Sequence, residues 1–321
     1  MNPVLPGEAA ALGAAAAKAF ADLGGVDAAR RAEADPDVRT STVPATLASL
    51  GVADLDPRAG GDALAAAAAL CEAAGRVALP YPVASVLLRD ADYRPFAVVP
   101  DDRARADHGD LVPEWRVASL AGGSGIAAPV GERLGTRLGP FVTDLVIRHE
   151  EAPDDGDVQT HVALTCWHVL GNVDRAVELA VEHVNGRIQF GRPIASFQAV
   201  QFQLADCAVA VAGLRELACH TLWRLDVAPG GALADVLALR AHALDVARTV
   251  LRTCQQLHGA AGVCDEYDIS VLTRMVQPAL RLPWSAERTV AELAAAIQRD
   301  GFEGLFPHGA HLGHAPQREA S

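Results

Sequence analysis

Lysine is almost missing from this chain. Lys18 is the sole one in 321 residues, and arginine carries the rest of the basic charge. Acidic side chains outnumber basic ones and leave a net charge of −13. Such a surface repels polyphosphate, so nucleic acid is not an expected partner. An anionic cofactor would need local arginines and helix ends to hold it. Aromatic residues are few, at 5%, while alanine dominates. Alanine's helix propensity makes a mostly helical protein the first expectation. The six cysteines, Cys71, Cys166, Cys207, Cys219, Cys254 and Cys264, form no CxxC pair. Most sit among apolar residues in helical patterns, where cysteine acts as a small hydrophobe, and a reducing, cytoplasmic setting is expected. The opening MNPVLPGEAA has no basic segment leading into an apolar run, so no signal peptide is expected. No apolar run has the length to span a bilayer.

What is present divides by texture. Residues 7–34 are alanine-rich and helical in pattern, Asp35 to Ser41 is polar and reads as a loop, and Ala45 to Gly51 reads as a short helix. Ala63 to Arg76 forms another helix before Pro80 and Pro82. Between Tyr93 and Pro153 three short β-prone runs emerge, Phe96 to Val99, Arg116 to Leu120 and Val142 to Arg148. The glycine-rich GGSGIAAPVG between them reads as a β-turn region, with neither GxGxxG nor Walker spacing. The acidic stretch Glu150 to Asp157 reads as a linker. From Val158 the period is helical again, giving a helix to Asn185-Gly186, one from about Phe197 to Leu225, and one from about Ala232 to Leu257. Ser285 is placed to cap a last helix, with Glu287 in its first turn. The expected domains are N-terminal helices over 1–90, a short β segment over 91–155, a C-terminal antiparallel helical bundle over 156–306 and a tail over 307–321.

Candidate chemistry is sparse. His308, His311 and His314 lie among glycines and a proline that break any helix, and read as a solvated tail rather than a metal site. Two loops are more pointed. In GRIQFGRPIASFQ, Arg187 suits pyrophosphate oxygens, Phe190 offers a flat apolar face, and a helix N-terminus follows with Gln198 in its first turn. In QQLHGAAG, Gln255 to Gly262, small residues permit the close approach of another molecule.

Together these two loops resemble the acyl-CoA dehydrogenase family. That family carries R-x-x-F-G-x-x-I before a Q-headed helix with L-A-D, which here is Arg187, Phe190, Gly191, Ile194, Gln198 and Leu204-Ala205-Asp206. It carries Q-x-x-G-G-x-G about seventy residues on, which here is Gln256, Gly259, Ala260 and Gly262, followed by Glu266-Tyr267 and Arg274. The resemblance covers roughly Ala45 to Leu88 and Val158 to Asp300. It implies a mostly α, acyl-CoA dehydrogenase-like fold of N-terminal helices, a shortened middle β segment and a C-terminal bundle. It also implies FAD shared across a subunit boundary, with Arg187, Gln189, Phe190, Gln198, Gln256, Gly259 and Ala260 contacting its nucleotide end.

The sequence departs from the family in three places. Counting without gaps from Gln256, the family's catalytic glutamate falls on Pro283, which cannot take a proton. The alternative family position, counted back from Arg187, falls on His161, with Gln159 and Val162 where substrate-binding charges are usual. His161 has the pKa of a base but nothing near it in sequence to orient it, and Glu287, one turn past Pro283, is a further candidate. The family's T-E-x-x-x-G-S strand and its K-x-W-I-T-N-like stretch have no counterpart. No catalytic residue and no metal site are therefore assigned. The pattern resembles the reduced subunit of the α2β2 heterotetrameric acyl-CoA dehydrogenases that act on steroid-derived CoA thioesters, with a full-length subunit as partner. Two other readings stay open: a self-sufficient homomeric enzyme with an atypical base, and a structural or regulatory helical protein that has lost flavin.

Overall fold

The alanine-rich, helical start breaks at Gly24 and Gly25, both at positive φ, into two helices, α1 (Gly7–Asp22) and α2 (Val26–Ala34). The computed structural model describes residues 5–101, 103–120, 122–131, 138–150 and 155–300. The polar stretch expected as a loop contains a short helix, α3 (Val38–Ser41). Arg39 explains it. This guanidinium is only 3% exposed, donates to both carboxylate oxygens of Asp110 at 3.1 and 2.7 Å, and lies 4.4 Å from the Phe141 ring centroid. Burial of a paired arginine fixes a segment that its composition would leave loose. Next come α4 (Val43–Ser49), α5 (Gly61–Arg76) and α6 (Val83–Leu87).

The β segment is a five-stranded sheet in the order β1-β3-β4-β5-β2. Its strands are β1 (Phe96–Val98), β2 (Arg105–Ala106), β3 (Trp115–Ala118), β4 (Ser124–Val130) and β5 (Thr143–Glu150). The three expected strands are there. The glycine-rich stretch expected as a turn is corrected to β4, which pairs antiparallel with both β3 and β5. Gly125 and Ala127 carry little or no side chain, so the period-2 signal that marks a strand is faint, yet the backbone pairs on both sides.

The expected acidic linker is also corrected. β5 reaches Glu150 and α7 (Asp155–Gly186) begins at Asp155. Asp157 in its first turn is 2% exposed, held by Arg58 at 2.7 and 2.9 Å and by Arg116. A two-stranded hairpin, β6 (Ile188–Gln189) and β7 (Arg192–Pro193), leads from α7 to α8 (Gln198–Val227). Then follow α9 (Leu233–His258), α10 (Asp268–Met275), α11 (Gln277–Arg281) and α12 (Ala286–Asp300). As the sequence suggested, Ser285 Oγ caps α12 by accepting from Arg288 N–H at 3.2 Å.

Helices before residue 90 and after residue 155 share one apolar core, which includes Phe20, Leu70, Trp167, Leu214 and Val250. The sheet adds a smaller core around Trp115 and Val117. The closest joint is between α5 and α7. A β-carbon at Gly75 would lie 1.9 Å from His168 O, and one at Gly171 would lie 2.0 Å from Glu72 O. Bare backbone on both sides lets the two helices touch. Among the described residues, no single helix is long and apolar enough to cross a membrane, and no group of histidine, cysteine and carboxylate side chains is arranged for a metal ion. His308, His311 and His314 lie outside the described residues.

Candidate functional site

The first candidate lies at one end of the long helices. Stacked rings of His183, in the last turn of α7, and His258, at the end of α9, stand 4.4 Å apart between centroids. The β6–β7 hairpin and the loop after α9 therefore depart from neighbouring points. Burial, then the charges of His258 and Arg187, hold His183 below its usual range. Arg187, Gln189, Phe190, Gln198, Gln256, Gly259 and Ala260 are all exposed here.

The hairpin tip is Phe190-Gly191, with φ of 53° and 79°. A type I′ two-residue hairpin requires positive φ at both tip positions, and Asn-Gly is the usual solution. A phenylalanine there costs free energy that an asparagine would largely avoid. Phe190 is also 91% exposed. Its edge meets Phe197 at 6.2 Å between centroids, and the Arg192 guanidinium lies 4.3 Å from the Phe197 centroid. A strained, solvent-facing ring held by a second ring is a surface prepared for something flat. α8 starts beside it without a side-chain cap, leaving first-turn N–H groups open. Across the end, Gly259 caps α9 at φ 63°, and Gln255 Nε2 donates to Gly262 O at 3.1 Å. That bond folds the loop so tightly that a β-carbon on Gly262 would sit 2.4 Å from Gln255 O. A free guanidinium, exposed amides, an aromatic plane and an uncapped helix start suit a ligand with pyrophosphate and a ring. The residues fit the nucleotide end of FAD.

The second candidate is internal: a cavity of about 110 Å³ between α6, β1, β2, α7 and the α11–α12 connection. His161 and Pro283, the two positions that counting assigned to the family's base, both line it. The structure thus brings together two residues from opposite ends of the C-terminal segment. His161 is oriented, contrary to the sequence expectation: Ser85 Oγ lies 3.1 Å from Nε2, and Phe96 presents an edge-on ring contact at 5.8 Å. Its Nδ1 has no hydrogen-bond partner among the described residues. Burial pushes His161 down to about 4, and His168, also on the cavity wall, to about 4. Both imidazoles are neutral at pH 7. Gln159 is structural. Its amide donates to Gly230 O at 2.7 Å and accepts from Ala232 N–H at 2.9 Å, clamping the α8–α9 connection. Arg240 is buried and donates to Ala279 O, Leu282 O and Trp284 O at 3.2, 2.8 and 3.0 Å, fixing the segment that carries Pro283. Glu287 is exposed and does not line the cavity. Its own N–H and Ser285 hold its carboxyl below the usual range, the opposite of what a base at neutral pH requires.

Sequence reading missed Asp107, which also lines the cavity. Burial pushes its carboxyl up to about 7, against the pull of the His108 N–H and Arg39. Its sequence neighbourhood is an ordinary polar turn, so only the fold reveals it. A carboxyl raised in the folded state contributes stability below its unfolded pKa of ~4, and that contribution is lost as pH rises through about 7. The lowered His161 and His168 work the other way: their contribution is present above ~6.5 and lost as pH falls to about 4. Asp107→Asn should therefore gain stability over the parent as pH is raised across this window and lose that advantage in acid. Urea midpoints of the pair across the pH range would check it, and a constant difference would refute the assignment.

The family model for the acyl-CoA dehydrogenase C-terminal domain matches residues 161–281. The acyl-CoA dehydrogenase IpdE2 of Mycobacterium tuberculosis is 29% identical over 148 residues, 45% of this chain and 44% of that protein. The chain thus spans under half the length of the curated relatives it first matches. By fold it is similar to a chain of the ChsE4–ChsE5 complex of Mycobacterium tuberculosis, with a TM-score of 0.77 at 17% identity, covering 93% of this chain and 99% of that one. It is equally similar to a chain of the Tcur3481–Tcur3483 steroid ACAD G363A variant, with a TM-score of 0.77 at 21% identity over 92% and 99%. Residues 161–281 are thus matched by the acyl-CoA dehydrogenase C-terminal domain, and the chain has an acyl-CoA dehydrogenase-like fold over most of its course.

Proposed function

We propose that this chain is the FAD-contacting, non-catalytic subunit of a heteromeric acyl-CoA dehydrogenase, paired as α2β2 with a full-length family member in the cytoplasm. The complex would carry out α,β-dehydrogenation of a CoA thioester, one derived from a steroid. One observation carries the reading: Pro283 stands on the cavity wall at the family's base position, and proline cannot accept a proton. The imidazoles around it, pushed down to about 4 by burial, are weak bases, and Arg240 and Gln159 have structural tasks. The hairpin end is in the opposite condition, with its cation, amides and ring open to a ligand. FAD bound there would accept the β-hydride at its distant ring, on the partner. Arg187, Gln189 and Gln198 would hold the pyrophosphate end, and Phe190 and the Gln256–Ala260 loop the nucleoside.

The partner is supported by α8 itself. The first half of α8 exposes Phe202, Ala205, Ala208, Val209 and Ala212, an uncovered apolar face of the kind that marks an interface. The steroid assignment rests on likeness to the steroid ACAD complex.

Expressed alone, the chain should be colourless; coexpressed with the full-length partner, it should give a yellow complex. Arg187→Ala should then weaken FAD retention by roughly ten- to hundredfold, the equivalent of about 1.5–3 kcal/mol for one charge-assisted contact. Flavin affinity measured by fluorescence on the complex reads this directly. A yellow protein, active on acyl-CoA, from this chain alone would overturn the proposal and make His161 or Asp107 the base.

A further inference from the structure

Two histidines face each other where the hairpin and the loop after α9 begin. His183 lies in the last turn of α7 and His258 ends α9. Their rings are stacked, 27° from parallel and 4.4 Å between centroids. His258 Nδ1 lies 2.7 Å from Cys254 O. A carbonyl only accepts, so Nδ1 carries the hydrogen, and Nε2 of the neutral ring is the place for a second proton. Among the described residues, the histidines paired with a carboxylate are His108 and His220; neither stacked ring has such a partner. The charges on the elements packed around this end are engaged elsewhere. Glu182 on α7 pairs with Arg175 at 3.0 Å. On α10, which packs against both α7 and α9, Asp268 pairs with Arg30 at 2.9 Å and Arg274 with Glu33 at 2.7 Å. Arg192 on β7 lies over the Phe197 ring. Asp206 on α8 and Glu266 after α9 are exposed, and Cys207 and Cys254 are buried neutral-type thiols on α8 and α9. What acts on His183 is burial, then His258 and Arg187, and all three oppose a proton there.

We propose that the stacked imidazoles of His183 and His258 couple nucleotide binding to a proton: the phosphates of a dinucleotide seated at the hairpin draw a proton into the pair, and the site holds its ligand more tightly in mild acid than in mild base. This rests on the hairpin end being the nucleotide site and adds its regulation. Phosphate oxygens at Arg187 cancel the guanidinium's repulsion of a neighbouring imidazolium and attract it themselves. The stack takes one proton and not two, because like charges this close repel. By linkage, a ligand that favours the protonated ring is itself favoured by that ring. The sign follows. The empty site holds the imidazole below its ordinary range and the occupied site raises it, so affinity climbs as pH falls through the upper value and levels off below the lower one. A difference of one unit limits the gain to about tenfold.

Titration calorimetry of the coexpressed complex, stripped of flavin and titrated with FAD, tests the coupling. The pyrophosphate of FAD is doubly esterified and does not itself titrate near neutral pH. Between about pH 8 and about pH 5.5 affinity is expected to rise roughly three- to tenfold. Near pH ~6.5 binding should take up a fraction of a proton, read as a dependence of the binding enthalpy on the ionisation heat of the buffer. His183→Phe with His258→Phe keeps two stacked rings and removes both titrating groups, and should lose the slope and the proton uptake together. The two single variants show which ring takes the proton, and urea midpoints show that each variant folds. FAD that binds with a flat pH profile and no proton uptake, or a slope that survives in the double variant, overturns the coupling and leaves the hairpin reading standing. FAD affinity indifferent to Arg187→Ala overturns the hairpin reading and the coupling with it.

Discussion

Gly171→Ala is expected to destabilise the fold by about 2 kcal/mol or more, near the upper part of the range for overpacked interiors. Two effects compete. Alanine is the better helix former, by about 1 kcal/mol over glycine in a helix interior. Against that, the new β-carbon would stand 2.0 Å from Glu72 O on α5. The obstacle is backbone in the middle of a packed helix, so no flexible side chain can swing away, and α5 and α7 must move apart. Gly75 presents the mirror problem to His168 O at 1.9 Å, so Gly75→Ala should cost a similar amount, and the double variant should cost less than the sum because the helices separate once. Gly186, also on α7, has nothing within 4 Å, and Gly186→Ala serves as the neutral control. Urea unfolding followed by circular dichroism measures all four. The same joint positions the candidate site's surroundings. The segment after α5 carries Ser85, and α7 carries His161, 3.1 Å apart, so a Gly171→Ala protein that still folds should have a disturbed cavity. Wild-type stability in Gly171→Ala would show that the close crossing does not constrain the fold.

How much of this is legible in the sequence depends on the kind of signal. α7, α8 and α9 announce themselves because a 3.6-residue apolar period sustained over some thirty residues arises from little besides a packed helix. β4 does not, because Gly125 and Ala127 are nearly silent in hydropathy and their pairing partners lie on other strands. Arg187, Phe190 and Gln198 can be singled out since a loop and helix start concentrate them within a few residues, although the strain at Phe190 is visible only in its backbone. The cavity is the least legible. Ser85, Asp107, His161 and Pro283 come from four separate segments, and nothing in one sequence says that they face each other. Asp157 misleads for a related reason. Its neighbours Asp154 and Asp155 make the stretch look like a solvated acidic linker, while the arginines that bury it lie far away in the chain.

That buried carboxylate should be among the most costly single side chains to remove. Asp157→Ala is expected to lower stability by about 3–5 kcal/mol, the usual penalty for orphaning a buried ionic partner. Arg58 reaches it from the turn before α5 and Arg116 from β3, so one carboxylate ties the N-terminal helices, the sheet and α7 together. The hydrogen bond to Asp157 raises the Arg58 pKa still further, and neither guanidinium can escape by losing its proton. With the carboxylate gone, two positive charges would face each other at a half-buried joint. The strain would pass toward the cavity, since Arg116 lies 4.8 Å from the Phe96 ring centroid and Phe96 contacts His161 edge-on. Salt should rescue little, because pairs removed from solvent are weakly screened. A triple variant, Arg58→Met with Arg116→Met and Asp157→Leu, separates charge from shape. If the loss in Asp157→Ala comes from uncompensated arginines, the apolar triple should recover most of it. If the triple is as unstable as the single variant, the hydrogen-bond geometry around Asp157, rather than its charge, holds the sheet to α7.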